Sequence, residues 1–226
     1  MNKVPVITID GPSGSGKGTV SRAVARALGY KLLDSGALYR LLALAARKAG
    51  VGLDDGPELA RLAQKLDLTF GSDAAGQEIV RLDGKDMMGA IRTEEAGNDA
   101  SKVAAEPMVR AALLERQRRF AAPPGLVADG RDMGTVVFTD AEVKIFLTAS
   151  AEERAARRYK QLKEKGVTAT LAALSLEIAE RDRRDTNRAI SPLVASADAV
   201  LLDTTGISVE EVIERVLVLA RERLSI

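Results

Sequence analysis

Gly11-Pro12-Ser13-Gly14-Ser15-Gly16-Lys17-Gly18-Thr19 is the stretch that decides how this chain folds. It has the G-x-x-x-x-G-K spacing of a phosphate-binding loop and lies between two segments of different character. Before it, Val4 to Asp10 is a short apolar run without strict alternation, the pattern of a parallel strand covered on both faces. After it, Thr19 to Leu28 puts Val20, Ala23, Val24 and Ala27 on one stripe and stops at Gly29, the pattern of an amphipathic helix. A strand, a glycine-rich turn and a helix in that order aim backbone N–H groups and the positive end of a helix at one point, where triphosphate oxygens bind. Glycines let the backbone approach without a Cβ in the way. Lys17 adds a mobile positive charge for the β- and γ-phosphates. Gly18 rather than a hydroxyl residue follows Lys17, so Thr19 is expected to contact phosphate. Mg²⁺ would then be held mainly by phosphates and water.

Further along the chain the same two-beat pattern repeats. Lys31 to Leu33 reads as a strand ending at Asp34-Ser35-Gly36, and Ala37 to Ala49 as a helix with Leu38, Leu41, Leu42 and Ala45 inward. Strands are expected at Leu126–Asp129, Val143–Leu147 and Val200–Leu202, and the last two are each followed by a helix that opens on a capping box, at Ser150/Glu153 and Ser208/Glu211. A helix is expected over Leu171–Asp185. Strands alternating with helices predict an α/β fold, a parallel sheet covered on both faces. The middle differs. A short helix over Pro57–Leu66 is followed by Leu66, Leu68 and Phe70 alternating with polar residues, then Ile79–Leu82 and the turn dipeptide Asp83-Gly84. This predicts a small antiparallel sheet with one wet face, an insertion over about 66–92. Thr93 is placed to cap a helix to Ala105, and Pro107 to start another running to Phe120.

Composition excludes several chemistries. The 226 residues contain no cysteine and no histidine, which removes disulfides, thiolate catalysis, Ser-His-Asp hydrolysis and His-ligated metals. Lys plus Arg number 33 against 32 for Asp plus Glu, a balance that argues against a general nucleic-acid or membrane-surface binder. Only 3% of residues are aromatic, too few for a base-stacking platform. No apolar run approaches the ~20 residues of a membrane span, and the first residues lack the apolar segment of a signal peptide. A cytoplasmic protein is expected, without nucleic-acid or membrane partners.

The remaining chemistry rests on arginine. Arg131-Asp132 follows a strand end, where open α/β sheets bind ligands. Arg181, Asp185 and Arg188 have the spacing of one helical face, and Arg154 and Arg158 lie one turn apart. A lone arginine on a helix is most simply a solvated ion pair. Several beside a phosphate loop suit a kinase, which must neutralise a donor triphosphate and an anionic acceptor together. A P-loop switch that signals through a partner would carry a guanine-reading Asn-Lys-x-Asp string, and this chain has none.

The Gly-Thr after Lys17 resembles nucleoside monophosphate kinases. Leu33-Asp-Ser-Gly-Ala-Leu-Tyr-Arg40, Ala128-Asp-Gly-Arg-Asp-Met-Gly-Thr-Val-Val-Phe138 and Arg181-Asp-Arg-Arg-Asp-Thr-Asn-Arg188 are similar to strings of the bacterial cytidylate kinase family, and the likeness extends over nearly the whole chain. The resemblance implies a P-loop kinase fold with five parallel strands flanked by helices, an inserted acceptor-binding subdomain with a small antiparallel sheet, and a short helical lid. It divides one domain, 1–226, into a core of about 1–36, 106–154 and 169–226, an acceptor subdomain of about 37–105 and a lid of about 155–168. It implies transfer from ATP, with Mg²⁺, to CMP or dCMP, by a monomer. Gly11, Pro12, Ser13, Gly14, Ser15, Gly16, Lys17, Gly18 and Thr19 would bind ATP. Ser35, Arg40, Ser101, Arg110, Arg131, Asp132, Arg181, Asp185 and Arg188 would bind the acceptor, with Lys17, Arg131 and Arg188 catalytic. Within that set, Arg110 and Arg131 would hold the acceptor phosphate, Ser101 and Asp132 would read cytosine, and Asp185 would lie near the ribose. A carboxylate is the natural acceptor for the N4 amino group of cytosine and would repel O4 of uracil. The alternative within enzymes is a P-loop kinase for another small acceptor, such as UMP, shikimate or dephospho-coenzyme A.

Overall fold

Every residue of the strand that enters the phosphate loop is buried, which is why its sequence does not alternate. The computed structural model describes residues 3–72, 78–164 and 166–225. Along these the elements are β1 (Val6–Asp10), α1 (Lys17–Leu28), β2 (Lys31–Asp34), α2 (Ser35–Ala49), α3 (Gly56–Lys65), β3 (Leu68–Ser72), β4 (Glu78–Leu82), β5 (Lys85–Asp86), α4 (Met88–Ile91), α5 (Glu94–Val103), α6 (Pro107–Arg118), β6 (Leu126–Gly130), a π-helical turn (Met133–Val137), β7 (Val143–Thr148), α7 (Ala151–Glu164), α8 (Leu171–Thr186), β8 (Val200–Asp203) and α9 (Val209–Leu224). Residues 73–77 of the expected insertion and residue 165 of the expected lid lie outside the described residues.

The chain forms two compact units, Met1–Asp34 with Arg118–Ile226, and Ser35–Gln117. The first holds a five-stranded parallel sheet in the order β2-β6-β1-β7-β8. The chain leaves β1 toward β2 and β6 on one side and later returns to build β7 and β8 on the other. The carboxyl end of β1 is therefore the point where strand order reverses, the usual ligand position in such sheets. Ile7, Ile9, Val127, Val143, Ile145 and Leu147 fill the sheet and pack with Val20 and Val24 of α1 and Val212, Val216, Leu217 and Ala220 of α9. Burying one such branched side chain contributes about 1.5–3 kcal/mol, so this layer holds the loop ends in place.

Helix ends follow their caps. Gly29 closes α1 in the left-handed region, its N–H donating to Ala25 and Arg26 carbonyls. Ser150 and Ser208 hydroxyls accept from Glu153 and Glu211 N–H groups at 3.1 and 3.2 Å. The spacing of Arg181, Asp185 and Arg188 misleads in one respect. α8 ends at Thr186, with Asn187 as C-cap, so Arg188 is not on its helical face. The chain turns back there because Leu193 N–H donates to the Asp185 carbonyl at 2.8 Å, competing with a further helical turn.

In the second unit, β3, β4 and β5 form an antiparallel sheet with Leu68 opposite Leu82 and Phe70 opposite Val80. Asp83 and Gly84 both take positive φ, 51° and 74°, the backbone of a tight two-residue hairpin turn. α2 is tied to α5 by Arg47, which pairs with Asp99 and, at 3.0 Å, with Glu95. Thr93 caps α5, accepting from Ala96 N–H at 3.1 Å.

Candidate active site

The phosphate loop is a backbone structure. Gly11, Gly14 and Gly16 have φ of 153°, 78° and 91°. A Cβ at Gly11 would lie 2.1 Å from the Leu147 carbonyl oxygen of β7, and one at Gly14 would lie 3.0 Å from Arg154 Cβ. Both glycines are thus required by close approach as well as by conformation. Gly16 is the N-cap of α1, so the loop closes on a helix N-terminus. Lys17 starts that helix, is buried, and donates to the Pro12 carbonyl at 2.9 Å. Burial pushes its ammonium down from the ordinary lysine range, and Arg131 and Arg181 push the same way. A bound polyphosphate would oppose that shift. The Ser15 hydroxyl is buried with no hydrogen-bond partner among the described residues, an O–H suited to a phosphate oxygen.

Strand register explains what stands beside the loop. Ile9 pairs with Asp129 and Asp10 with Gly130, so Gly11 and Arg131 leave adjacent strands at the same level. Asp129 Oδ2 lies 3.1 Å from where a Gly18 Cβ would be. Burial drives its carboxyl up, and Lys17 draws it back. Asp132, only 2% exposed, stands at the N-terminus of the π-helical turn. Asp10 accepts from Met133 N–H at 2.9 Å and Gly134 N–H at 2.8 Å. Burial pushes the Asp10 carboxyl up to about 7, although those two N–H groups pull it down.

Asp185 is the centre of the arginine cluster. Its Oδ2 accepts from Arg131 Nε at 2.9 Å, and its Oδ1 lies 3.4 Å from Arg188 Nη2. Arg188 Nε also donates to the Asp185 carbonyl at 3.2 Å, which keeps Arg188 in the cluster although it lies past the helix. Burial pulls the Asp185 carboxyl up, but Arg131, Arg188 and Arg181 together overrule it and hold it at about 2. Arg181 thus acts on both Lys17 and Asp185. Thr19 is exposed on the first turn of α1.

Sequence reasoning singled out Arg154 but missed four supports, Arg157, Asp10, Asp129 and Thr204. Arg154 donates to the Ser13 carbonyl at 3.1 Å and pairs with Asp182 at 2.6 Å, tying the loop to both α7 and α8. Arg157, not Arg158, is its partner at the loop. It reaches Thr204 Oγ1 at 3.0 Å and the Ser15 carbonyl at 3.5 Å, whereas Arg158 turns to Gln161. Asp10 and Asp129 were visible only as strand ends, and Thr204 carried no signal.

In the second unit, Ser35 opens α2 and is buried, and Ser101 is buried on α5. Arg40 is half-buried on α2, its Nε without a partner among the described residues. Arg110 is buried on α6, donates to the Ala104 carbonyl at 3.2 Å, and holds its guanidinium 5.7 Å from the centre of the Tyr39 ring. A cation over an aromatic face is attracted by the ring quadrupole, so Tyr39 sets where Arg110 points.

A family model described as cytidylate kinase matches residues 7–222. The chain belongs to the cytidylate kinase family. A protein named cytidylate kinase from Methylococcus capsulatus is 61% identical over 214 residues, covering 95% of this chain and 96% of that one. Another of that name from Klebsiella pneumoniae is 58% identical over 223 residues, covering 99% and 98%. An uncharacterized protein from Eubacterium ventriosum, known as a crystal structure, matches with TM-score 0.50 at 12% identity over 97% of this chain and 99% of its own, a likeness of fold. Membership in the cytidylate kinase family fits the parallel sheet and its loop. Among the described residues, no group of three or more acidic side chains could hold a metal, and no helix is long and apolar enough to cross a membrane.

Proposed function

We propose that the protein transfers the γ-phosphoryl group of ATP to CMP and dCMP, in line, giving ADP and the nucleoside diphosphate. The observation that carries this reading is the register that sets Arg131-Asp132 beside the phosphate loop, at the carboxyl ends of β6 and β1. An oxygen of the acceptor phosphate attacks Pγ, and the bond from Pγ to the β–γ bridging oxygen breaks. Lys17 follows the negative charge onto that bridging oxygen, while Arg131 and Arg188 hold the acceptor phosphate and the transferring group. Mg²⁺, when bound, neutralises the β- and γ-phosphates. It would take most of its ligands from ATP and water, with Asp129 as the nearby carboxylate, since Gly18 has no side chain and Thr19 is exposed.

The acceptor base is read by Asp132. Its carboxylate accepts from N4 of cytosine. Against uracil the same buried group loses its partner and faces O4, a penalty of at least about 1–3 kcal/mol. As the likeness to cytidylate kinases implies, Ser35, Arg40, Ser101 and Arg110 also bind the acceptor, with Arg110 on its phosphate and Ser101 at the base. Asp185 and Arg181 serve the ribose side. Residues 37–105 then form the acceptor subdomain and 155–168 the lid that excludes water, and the enzyme works as a cytoplasmic monomer. A coupled ADP-release assay across the nucleoside monophosphates tests this. CMP and dCMP should exceed UMP at least tenfold in kcat/KM, and Asp132→Asn should lower that ratio, because an amide meets either base. Equal use of UMP, or a ratio unmoved by the substitution, would remove the base-reading assignment.

A further inference from the structure

We propose that Asp10 is a positioning residue for the acceptor base: its carboxylate clamps the backbone of Met133 and Gly134 and so fixes the aim of Asp132, an inference that rests on Asp132 reading cytosine. Asp10 is the last residue of β1, directly before the phosphate loop, and 123 and 124 residues separate it from the N–H groups it accepts. Each of its oxygens takes a different one, Oδ1 from Met133 at 2.9 Å and Oδ2 from Gly134 at 2.8 Å. Two bonds to consecutive N–H groups hold two successive peptide planes, 132–133 and 133–134, against rotation about Met133, which one bond does not. The first of these planes contains the Asp132 Cα and carbonyl, and the Asp132 backbone, at φ −143° and ψ 24°, enters a π-helical turn. Such a turn forms few of its own hydrogen bonds, so its first N–H groups need an outside acceptor. Residue 134 is also closely confined. A Cβ on Gly134 would come within 2.9 Å of Thr8 Oγ1 and 3.2 Å of Lys144 Cδ.

The consequence is a mechanical link within the first unit. The strand that carries the phosphate loop also sets the backbone that carries the base reader, so the reach of Asp132 is measured from the donor site itself. A purely structural carboxylate would be replaceable at the expense of stability alone. A positioning one must change base selectivity while leaving ATP alone.

Asp10→Asn keeps one acceptor oxygen and puts an NH₂ against the other N–H. Its kcat/KM ratio for CMP over UMP should fall at least threefold and its KM for CMP rise at least fivefold, with KM for ATP within twofold of wild type. A ratio equal to wild type in folded Asp10→Asn overturns the proposal, as does a KM for ATP that rises as far as that for CMP, which would make Asp10 a support of the phosphate loop alone. If Asp10→Asn does not fold, Gly134→Ala decides from the other side: its added methyl group displaces the clamped peptide, so the CMP/UMP ratio should fall at least threefold, and a wild-type ratio overturns the proposal. Asp132→Asn, run in parallel, separates this from the reading beneath it. Should Asp132→Asn leave the ratio unchanged, the base-reading assignment has failed and takes the proposal with it. Should Asp132→Asn lower the ratio while folded Asp10→Asn does not, only the clamp has failed.

Discussion

The phosphate loop and the Asp185 cluster both gather positive charge for phosphate, and they do so in opposite ways. The loop uses contiguous backbone: glycines at positive φ, a helix N-terminus, and one lysine. The cluster uses side chains from distant parts of the chain, Arg131 after β6 and Arg188 after α8, gathered on one buried carboxylate. The loop needs no partner to hold its charge, since its N–H dipoles are part of the fold. The cluster's arginines would repel one another, and Asp185 is what makes their proximity affordable. Loss of the loop's lysine should therefore cost catalysis without stability, whereas loss of Asp185 should cost both.

The sharpest way to break this contrast is Asp185→Asn. Removing the charge leaves the buried Arg188 and the half-buried Arg131 facing an amide at that position, which should lower stability by about 3–5 kcal/mol at neutral pH. The carboxyl titrates at about 2 in the folded protein against an ordinary 3.8. Its contribution is therefore complete above about pH 4 and lost as pH falls toward 2, narrowing the gap to the variant by about 2 kcal/mol in denaturant titrations. A gap that stays constant over that range would detach the stability from Asp185 ionisation.

Lys17→Ala makes the opposite case. Turnover should fall at least a hundredfold, the equivalent of about 2.7 kcal/mol, with Tm unchanged. Activity within threefold of wild type would remove Lys17 from the chemistry.

Arg188→Ala lies between the two. Arg131 continues to neutralise Asp185, so Tm should move little, while kcat/KM falls at least tenfold, about 1.4 kcal/mol. Combining it with Arg181→Ala should give less than the sum of the single losses, because both serve one bound ligand. Strict additivity would show that they act on separate groups.

The smallest effect calibrates the others. Arg215 and Glu211 pair at 2.6 Å on α9 with side chains 48% and 52% exposed. Arg215→Ala should alter stability by less than about 0.5 kcal/mol and activity not at all. A larger loss would mean that exposed ion pairs here behave like the buried cluster.

These two regions also differ in how far they could be read in advance. The phosphate loop was legible residue by residue because its requirements are local: a glycine where φ is positive, a lysine at the helix start. The alternation of strands and helices was legible for the same reason, since burial on both faces leaves its mark on β1 and β6. Local reading failed where a distant group decided the outcome. Helical spacing put Arg188 on the face of Arg181 and Asp185, but a backbone bond from Leu193 ends α8 first. Arg157 and Arg158 both lie within one turn of Arg154, at the third and fourth positions after it, and Thr204 with the Ser15 carbonyl selected Arg157. The two-residue strand β5 and the π-helical turn were too short to carry any period.

By itself, then, the sequence determined the loop, the parallel α/β class, the small antiparallel sheet, and the exclusion of thiol and imidazole chemistry. Each follows from residue identity or from neighbours a few positions away. Only the tertiary structure decided which charges meet: Asp10 with the backbone at 133 and 134, Asp129 with Lys17, Arg154 with Ser13 and Asp182. The physical reason is the sheet. Parallel strands bring residues more than a hundred positions apart to the same level, and burial there removes the water that would otherwise screen them, so partners far off in the chain govern each group's charge and direction.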